Sequence, residues 1–186
     1  WFEQSDLEAP NFRRALETAL QQGEAELALR LVNALTWCWF LRGRINEARR
    51  SIRQALSVPG EVPDLRAAAQ AWEAGLAVLA GEVVNPAGFA AAQDIKDQRS
   101  RAMALWFLGY VTTTMGGIPS TELLTTQALE EFEALDDKWG ISVALVDRVT
   151  HHKARGDFDS AERDARRAAD LIDALGERWA QLQASF

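Results

Sequence analysis

MGGIPSTELLTTQALEEF, Met115–Phe132, and RGDFDSAERDARRAADLI, Arg155–Ile172, are one layout written twice. Laid over each other forty positions apart, they put Gly116 over Gly156 and Ala128 over Ala168. Both run on into a second match, ALDDKWG at 134–140 and ALGERWA at 174–180. RGRINEARRSIRQAL from Arg42 has the same arrangement, with Gly43, Ala48 and Ala55, and AGEVVNPAGFAAAQ from Ala80 is a degenerate fourth copy. Turn glycines therefore fall at 43, 81, 116 and 156, spaced 38, 35 and 40 residues apart. Self-similarity at such a period marks stacked supersecondary units, each too small to bury its own apolar stripe.

The unit is a helix pair. Alternating Val/Ile/Thr runs and Asn-Gly or Asp-Gly hairpin signals are nearly absent, whereas Ala, Leu, Glu, Gln and Arg dominate. Apolar residues recur three and four apart, as in Phe12, Leu16, Ala19 and Leu20. Pro59-Gly60 and Pro63 bracket a loop, and Pro86 and Pro119 stand at helix starts. The pattern predicts helices over 10–22, 24–42, 44–57, 63–80, 86–95, 99–115, 119–135, 139–155 and 158–175, and a truncated one from 178. A glycine between two helices can take positive φ as the left-handed cap of the first, and a small alanine one turn later lets the backbones approach. The expected fold is all-α, a right-handed superhelical array of about ten helices. Residues 1–186 are read as a single repeat domain cut from a longer chain, with hairpin turns near 23, 43, 81, 116 and 156.

Gly156-Asp157-Phe158-x-x-Ala161 with Ala168 seven later, and Leu108-Gly109 seven before Gly116, resemble the tetratricopeptide repeat. Pro86 and Gln93 depart from it, so irregular packing is expected in that pair. NFRRALETALQQGEAELALRLVNALTWCWFLRGRINEARRSIRQAL, followed by repeats ending ALDDKWG and ALGERWA, resembles the tetratricopeptide region of large bacterial STAND-type transcriptional regulators of the SARP and large LuxR kinds. That resemblance implies a non-catalytic interaction and effector-sensing domain following a nucleotide-binding module. A free-standing tetratricopeptide scaffold unrelated to transcription is the alternative.

Composition narrows the chemistry. The chain has 186 residues, 48% hydrophobic and 25% charged, with net charge −7, which disfavours binding of nucleic acid or an anionic membrane by this segment. One cysteine, Cys38, excludes an internal disulfide framework and suits a reducing compartment, so a cytoplasmic location is expected. The most apolar stretch, Leu27–Leu41, is interrupted by Arg30, Asn33 and Thr36 and reads as a buried helix.

No G-x-x-x-x-G-K-[ST], G-x-S-x-G, H-E-x-x-H or C-x-x-C occurs. His151 and His152 are adjacent on a predicted helix and point about 100° apart, so they cannot share a metal. No enzyme, cofactor or metal site is expected. Arg155-Gly156-Asp157, the adhesion tripeptide, reads instead as a helix end, a turn glycine and an N-cap.

Tetratricopeptide geometry carried onto this chain puts a partner-binding groove at Arg30, Asn33, Trp37 and Phe40, then at Met103, Trp106, Tyr110 and Thr113, then at Val146, Thr150 and Lys153. The second pair offers only Ala68, Ala71 and Gly75. The expected partner is a protein, a peptide, another domain of the same chain or a small effector. Arg42, Arg44, Arg49, Arg50 and Arg53 form a basic cluster, suited either to an acidic partner or to a solvated face balanced by Glu47. A homodimer through the terminal half repeat, with Trp179 and Leu182 at the contact, is a further expectation.

Overall fold

The computed structural model describes residues 2–83, 85–115 and 118–176. Among them there is no strand, and the architecture is an all-α helical array. The chain divides into two compact units, Trp1–Ile95 and Lys96–Phe186. The first holds α1 (Phe2–Gln22), α2 (Ala25–Leu41), α3 (Ile45–Ser57), α4 (Pro63–Leu79) and α5 (Pro86–Asp94). The second holds α6 (Gln98–Thr114), α7 (Ile118–Ala134), α8 (Lys138–Arg155) and α9 (Phe158–Leu175). Within each unit, helices pack on their sequence neighbours, and α2 also packs on α4 and α6 on α8. Contact between alternate helices is what stacked pairs require.

Eight of these helices start and stop close to where proline, glycine and the capping residues place them. The exception is α1, which begins at Phe2 and carries Pro10 in its interior. A proline removes one backbone hydrogen bond, and a helix of 21 residues retains many others. The helix expected from 178, the turn at Gly116, and Trp179 and Leu182 lie outside the described residues.

The turns share one hydrogen-bonding scheme. At the end of α8, Gly156 takes φ 75°. Its N–H donates to the Lys153 carbonyl at 3.1 Å, and the Asp157 N–H donates to the His152 carbonyl at 3.0 Å. This is a Schellman closure, and it consumes carbonyls that would otherwise be orphaned at the helix end. The same pair of bonds closes the turns at Gly23, Gly43 and Gly81. Asp157 then caps α9 by accepting the Ser160 N–H at 3.1 Å, the role its place in the repeat predicts.

At the fifth such turn the left-handed residue is not glycine. Asp136 adopts φ 49°, and its turn is closed by bonds from Asp136 to Glu133 and from Asp137 to Phe132. In the register that aligns ALDDKWG with ALGERWA, Asp136 stands where Gly176 takes φ 62°. An L side chain in this region costs about 1 to 2 kcal/mol. Asp137 offsets part of that by capping α8 through the Gly140 N–H.

Small residues set the helix spacing. A Cβ on Gly88 would lie 2.2 Å from the Ala74 Cβ, so α5 rests directly on α4. In that pair the small contact residue expected near position 86 is supplied by Gly88, with Ala91 and Ala92 buried behind it. Helix α4 touches α2, α3 and α5, which is why it is alanine-rich and buried on nearly every side, including Ala68, Ala71 and Gly75. In the second unit, Gly140 admits the Phe132 ring, which is fully buried.

Two of the five clustered arginines help hold the first unit together. Arg49 is buried, donating to Glu73 at 3.1 Å and to Glu82 at 2.7 Å. Arg53 joins the same Glu73 at 2.8 Å. Glu47, the balancing residue expected from sequence, pairs directly with Arg13 at 2.7 Å and also feels the charges of Arg44 and Arg50. The helical register that puts Arg49 and Arg53 on one face of α3 thus aims both at α4. No helix among the described residues is long and apolar enough to cross a membrane.

Candidate functional site

The groove positions read from sequence have different fates. On α2, Arg30 is exposed and bound to Glu26, one turn earlier, at 2.7 Å. The Asn33 side-chain amide donates to the Leu65 carbonyl at 3.0 Å, tying α2 to α4. Trp37 and Phe40 are half-buried and stack with ring centroids 5.1 Å apart.

On α6 the difference is sharper. Trp106 is fully buried, so it does not line a surface. Its ring stacks on Tyr110 at 5.6 Å and meets Trp139 edge-on at 5.3 Å. Met103 is half-buried. Trp139 is therefore part of an aromatic stack within the second unit, in keeping with a structural plug. Trp106 supports the site from beneath, and Tyr110 is the aromatic that reaches it.

The remaining groove residues come together. Tyr110 and Thr113 of α6 and Val146, Thr150 and Lys153 of α8 line one cavity of about 330 Å³. The successive i, i+3, i+4 spacing on α8 puts Val146, Val149, Thr150 and Lys153 on one face. The far wall is α9, where Ala165, Ala168 and Ala169 keep the space open by having no side chain beyond Cβ. The volume is that of a small-molecule site.

Asp147 also lines this cavity and is the residue that sequence reading missed. It is 8% exposed, and its Oδ2 has no hydrogen-bond partner among the described residues. Burial pushes its carboxyl well above the usual carboxylate range, and the Trp106 indole opposes that shift. Burial and the Asp147 charge together raise the Tyr110 phenol. A carboxyl so placed is costly, because its unpartnered oxygen loses hydration that the Trp106 indole does not replace. No signal in the sequence distinguishes Asp147 from the many solvated carboxylates of this chain.

The basic groups next to Asp147 in sequence and one turn on are engaged elsewhere. Arg148, the next residue, turns away to Asp164 at 2.5 Å, and His152 also reaches Asp164, at 3.2 Å. His151 is buried, with Nε2 3.3 Å from the Thr125 hydroxyl. Burial, and secondarily His152, lowers its pKa, which favours the neutral ring. The two histidines thus serve different partners. Among the described residues no group of His, Cys, Asp and Glu could hold a metal ion.

No family model matches the chain. Curated relatives resemble it weakly along nearly its whole length. A protein of Mycobacterium bovis and two of Mycobacterium tuberculosis strains, each named "Putative HTH-type transcriptional regulator", are 24% identical over 196 aligned residues. The alignments cover 98% of this chain and 22% of each relative. The chain thus spans about a fifth of the length of the curated relatives it matches.

Proposed function

We propose that this chain is the effector-sensing and protein-interaction region of a bacterial transcriptional regulator, and that it performs no catalysis. The observation that carries the reading is the partly open cavity lined by α6, α8 and α9, in a helical array whose relatives are named as HTH-type regulators. The repeated Schellman turns and the contacts between alternate helices support a tetratricopeptide-like solenoid. The relatives' greater length leaves room for the nucleotide-binding and DNA-binding modules that STAND-type regulators of the SARP and large LuxR kinds carry. The cytoplasm is the location that fits this role.

Occupancy of the cavity would bias how α9 seats against α6 and α8, and that bias is the signal passed to the rest of the protein. The test is a promoter-reporter assay on the intact protein with Ala165→Phe, which fills the cavity from the exposed side of α9, and with Thr150→Trp, which fills it from α8. Both variants shift reporter output at least about threefold from wild type, since a differential interaction of ~1 kcal/mol already moves a two-state equilibrium by that much. Unchanged output from both, at equal protein level, refutes the sensor reading.

A further inference from the structure

The cavity of the second unit has a recognition group that its apolar walls do not explain. Val146, Val149 and the three α9 alanines make a hydrocarbon-lined space. Two of the hydroxyls at its edge are already engaged, Thr113 with Thr121 at 2.8 Å and Thr114 with the Tyr110 carbonyl at 2.8 Å. Asp147 is different, being nine-tenths buried with one carboxyl oxygen unpartnered.

Among the described residues of the second unit, no cation pairs with Asp147. Arg148 belongs to Asp164, and Lys153 is exposed at the cavity mouth, where water screens its charge. The α9 residues facing the cavity are alanines. From α6 the aromatic wall is Tyr110, backed by Trp106, which presents π density to the same space. Among the described residues Asp147 belongs to no group of three or more His, Cys, Asp or Glu, and a single carboxyl is a poor metal site. An anion would meet an acidic group at the buried end.

We propose that the α6–α8–α9 cavity binds a small organic cation, a primary ammonium on a compact apolar body, with the ammonium on Asp147 and the body against Val146, Val149 and the α9 alanines. This rests on the sensor reading above and names its effector class. The ligand supplies a donor to Asp147 Oδ2, which has none among the described residues, and that charge-assisted bond forms at the buried end of the cavity. Because burial favours the protonated carboxyl in the empty site, the arriving cation displaces that proton to solvent, and net charge in the cavity stays balanced.

The test uses the intact protein and three probes of matched shape: phenethylamine, phenethyl alcohol and hydrocinnamate. Binding is read by tryptophan fluorescence, with Trp106 behind Tyr110 as reporter, and by calorimetry in two buffers of different ionisation enthalpy. Phenethylamine binds at least about tenfold more tightly than the alcohol or the acid and releases a proton, as expected for a charge-assisted bond in place of a neutral one. Asp147→Asn loses that preference while the alcohol affinity stays within about twofold, and Ala165→Phe blocks all three probes.

Equal binding of alcohol and amine, tighter binding of the acid, or full amine affinity in Asp147→Asn overturns the proposal. So does the absence of amine binding at about 10 mM, the weak end expected of a ligand this size. An acid or neutral probe that binds and is blocked by Ala165→Phe removes the cation assignment and leaves the sensor reading intact. Failure of that reading shows separately in the reporter assay.

Discussion

Glu73→Ala destabilises the first unit by about 2 to 3 kcal/mol, because it leaves Arg49 buried with only one of its two carboxylates. Glu73 bridges Arg49 and Arg53 across α3 and α4, and its side chain and that of Arg49 are 17% and 8% exposed. Surface ion pairs contribute little, so the burial of Arg49 is what gives this substitution its size. Glu82, at 56% exposed, is the contrasting control, and Glu82→Ala costs distinctly less. Urea titration followed by circular dichroism measures both. Equal costs would show that Arg49 depends on neither carboxylate in particular.

Gly140→Val is the second large effect, with an expected cost of about 3 kcal/mol from overpacking. A Cβ at position 140 would lie 2.1 Å from a Phe132 ring carbon, with two more at 2.4 and 2.5 Å. The ring has no free side to turn toward, since Phe132 is fully buried. Valine's advantage over glycine in helix propensity is only a few tenths of a kcal/mol, so the clash decides the sign. Phe132→Leu in the same chain recovers part of the loss, as a double-mutant cycle measured by thermal unfolding would detect. Purely additive costs would mean that the two residues do not compete for the same space.

The helices were readable because punctuation and periodicity agree along the chain. Pro63 and Pro86 start helices where their missing N–H costs nothing, and glycines end helices in the left-handed region. Asp136 was not readable as a left-handed residue, because its turn is written with an aspartate where the next copy has Gly176. Pro10 misled in the other direction, since proline can also lie inside a long helix held by its remaining bonds.

The cavity was half legible. Counting helical turns from the repeat glycines picks out Tyr110, Thr113, Val146, Thr150 and Lys153, which share one cavity. Trp106 shares their helical phase but is buried behind Tyr110. Phase alone gives direction around a helix and not depth. Asp147 was hidden for a related reason: a charged residue within an amphipathic helix ordinarily faces water, and only the packing of α6 and α9 around α8 shows that this one does not.

The adhesion tripeptide also resolves locally. Arg155 joins Glu122 in an ion pair, Gly156 makes the turn, and Asp157 caps α9. Each residue has a task within the second unit.

Hydrogen exchange of the intact protein, with and without phenethylamine, tests most directly whether the α6–α8–α9 cavity is the ligand site. Protection should rise over the helical segments around 106–114, 146–153 and 165–169 and vanish in Ala165→Phe. Protection confined to the first unit, or protection that persists in Ala165→Phe, would contradict the account.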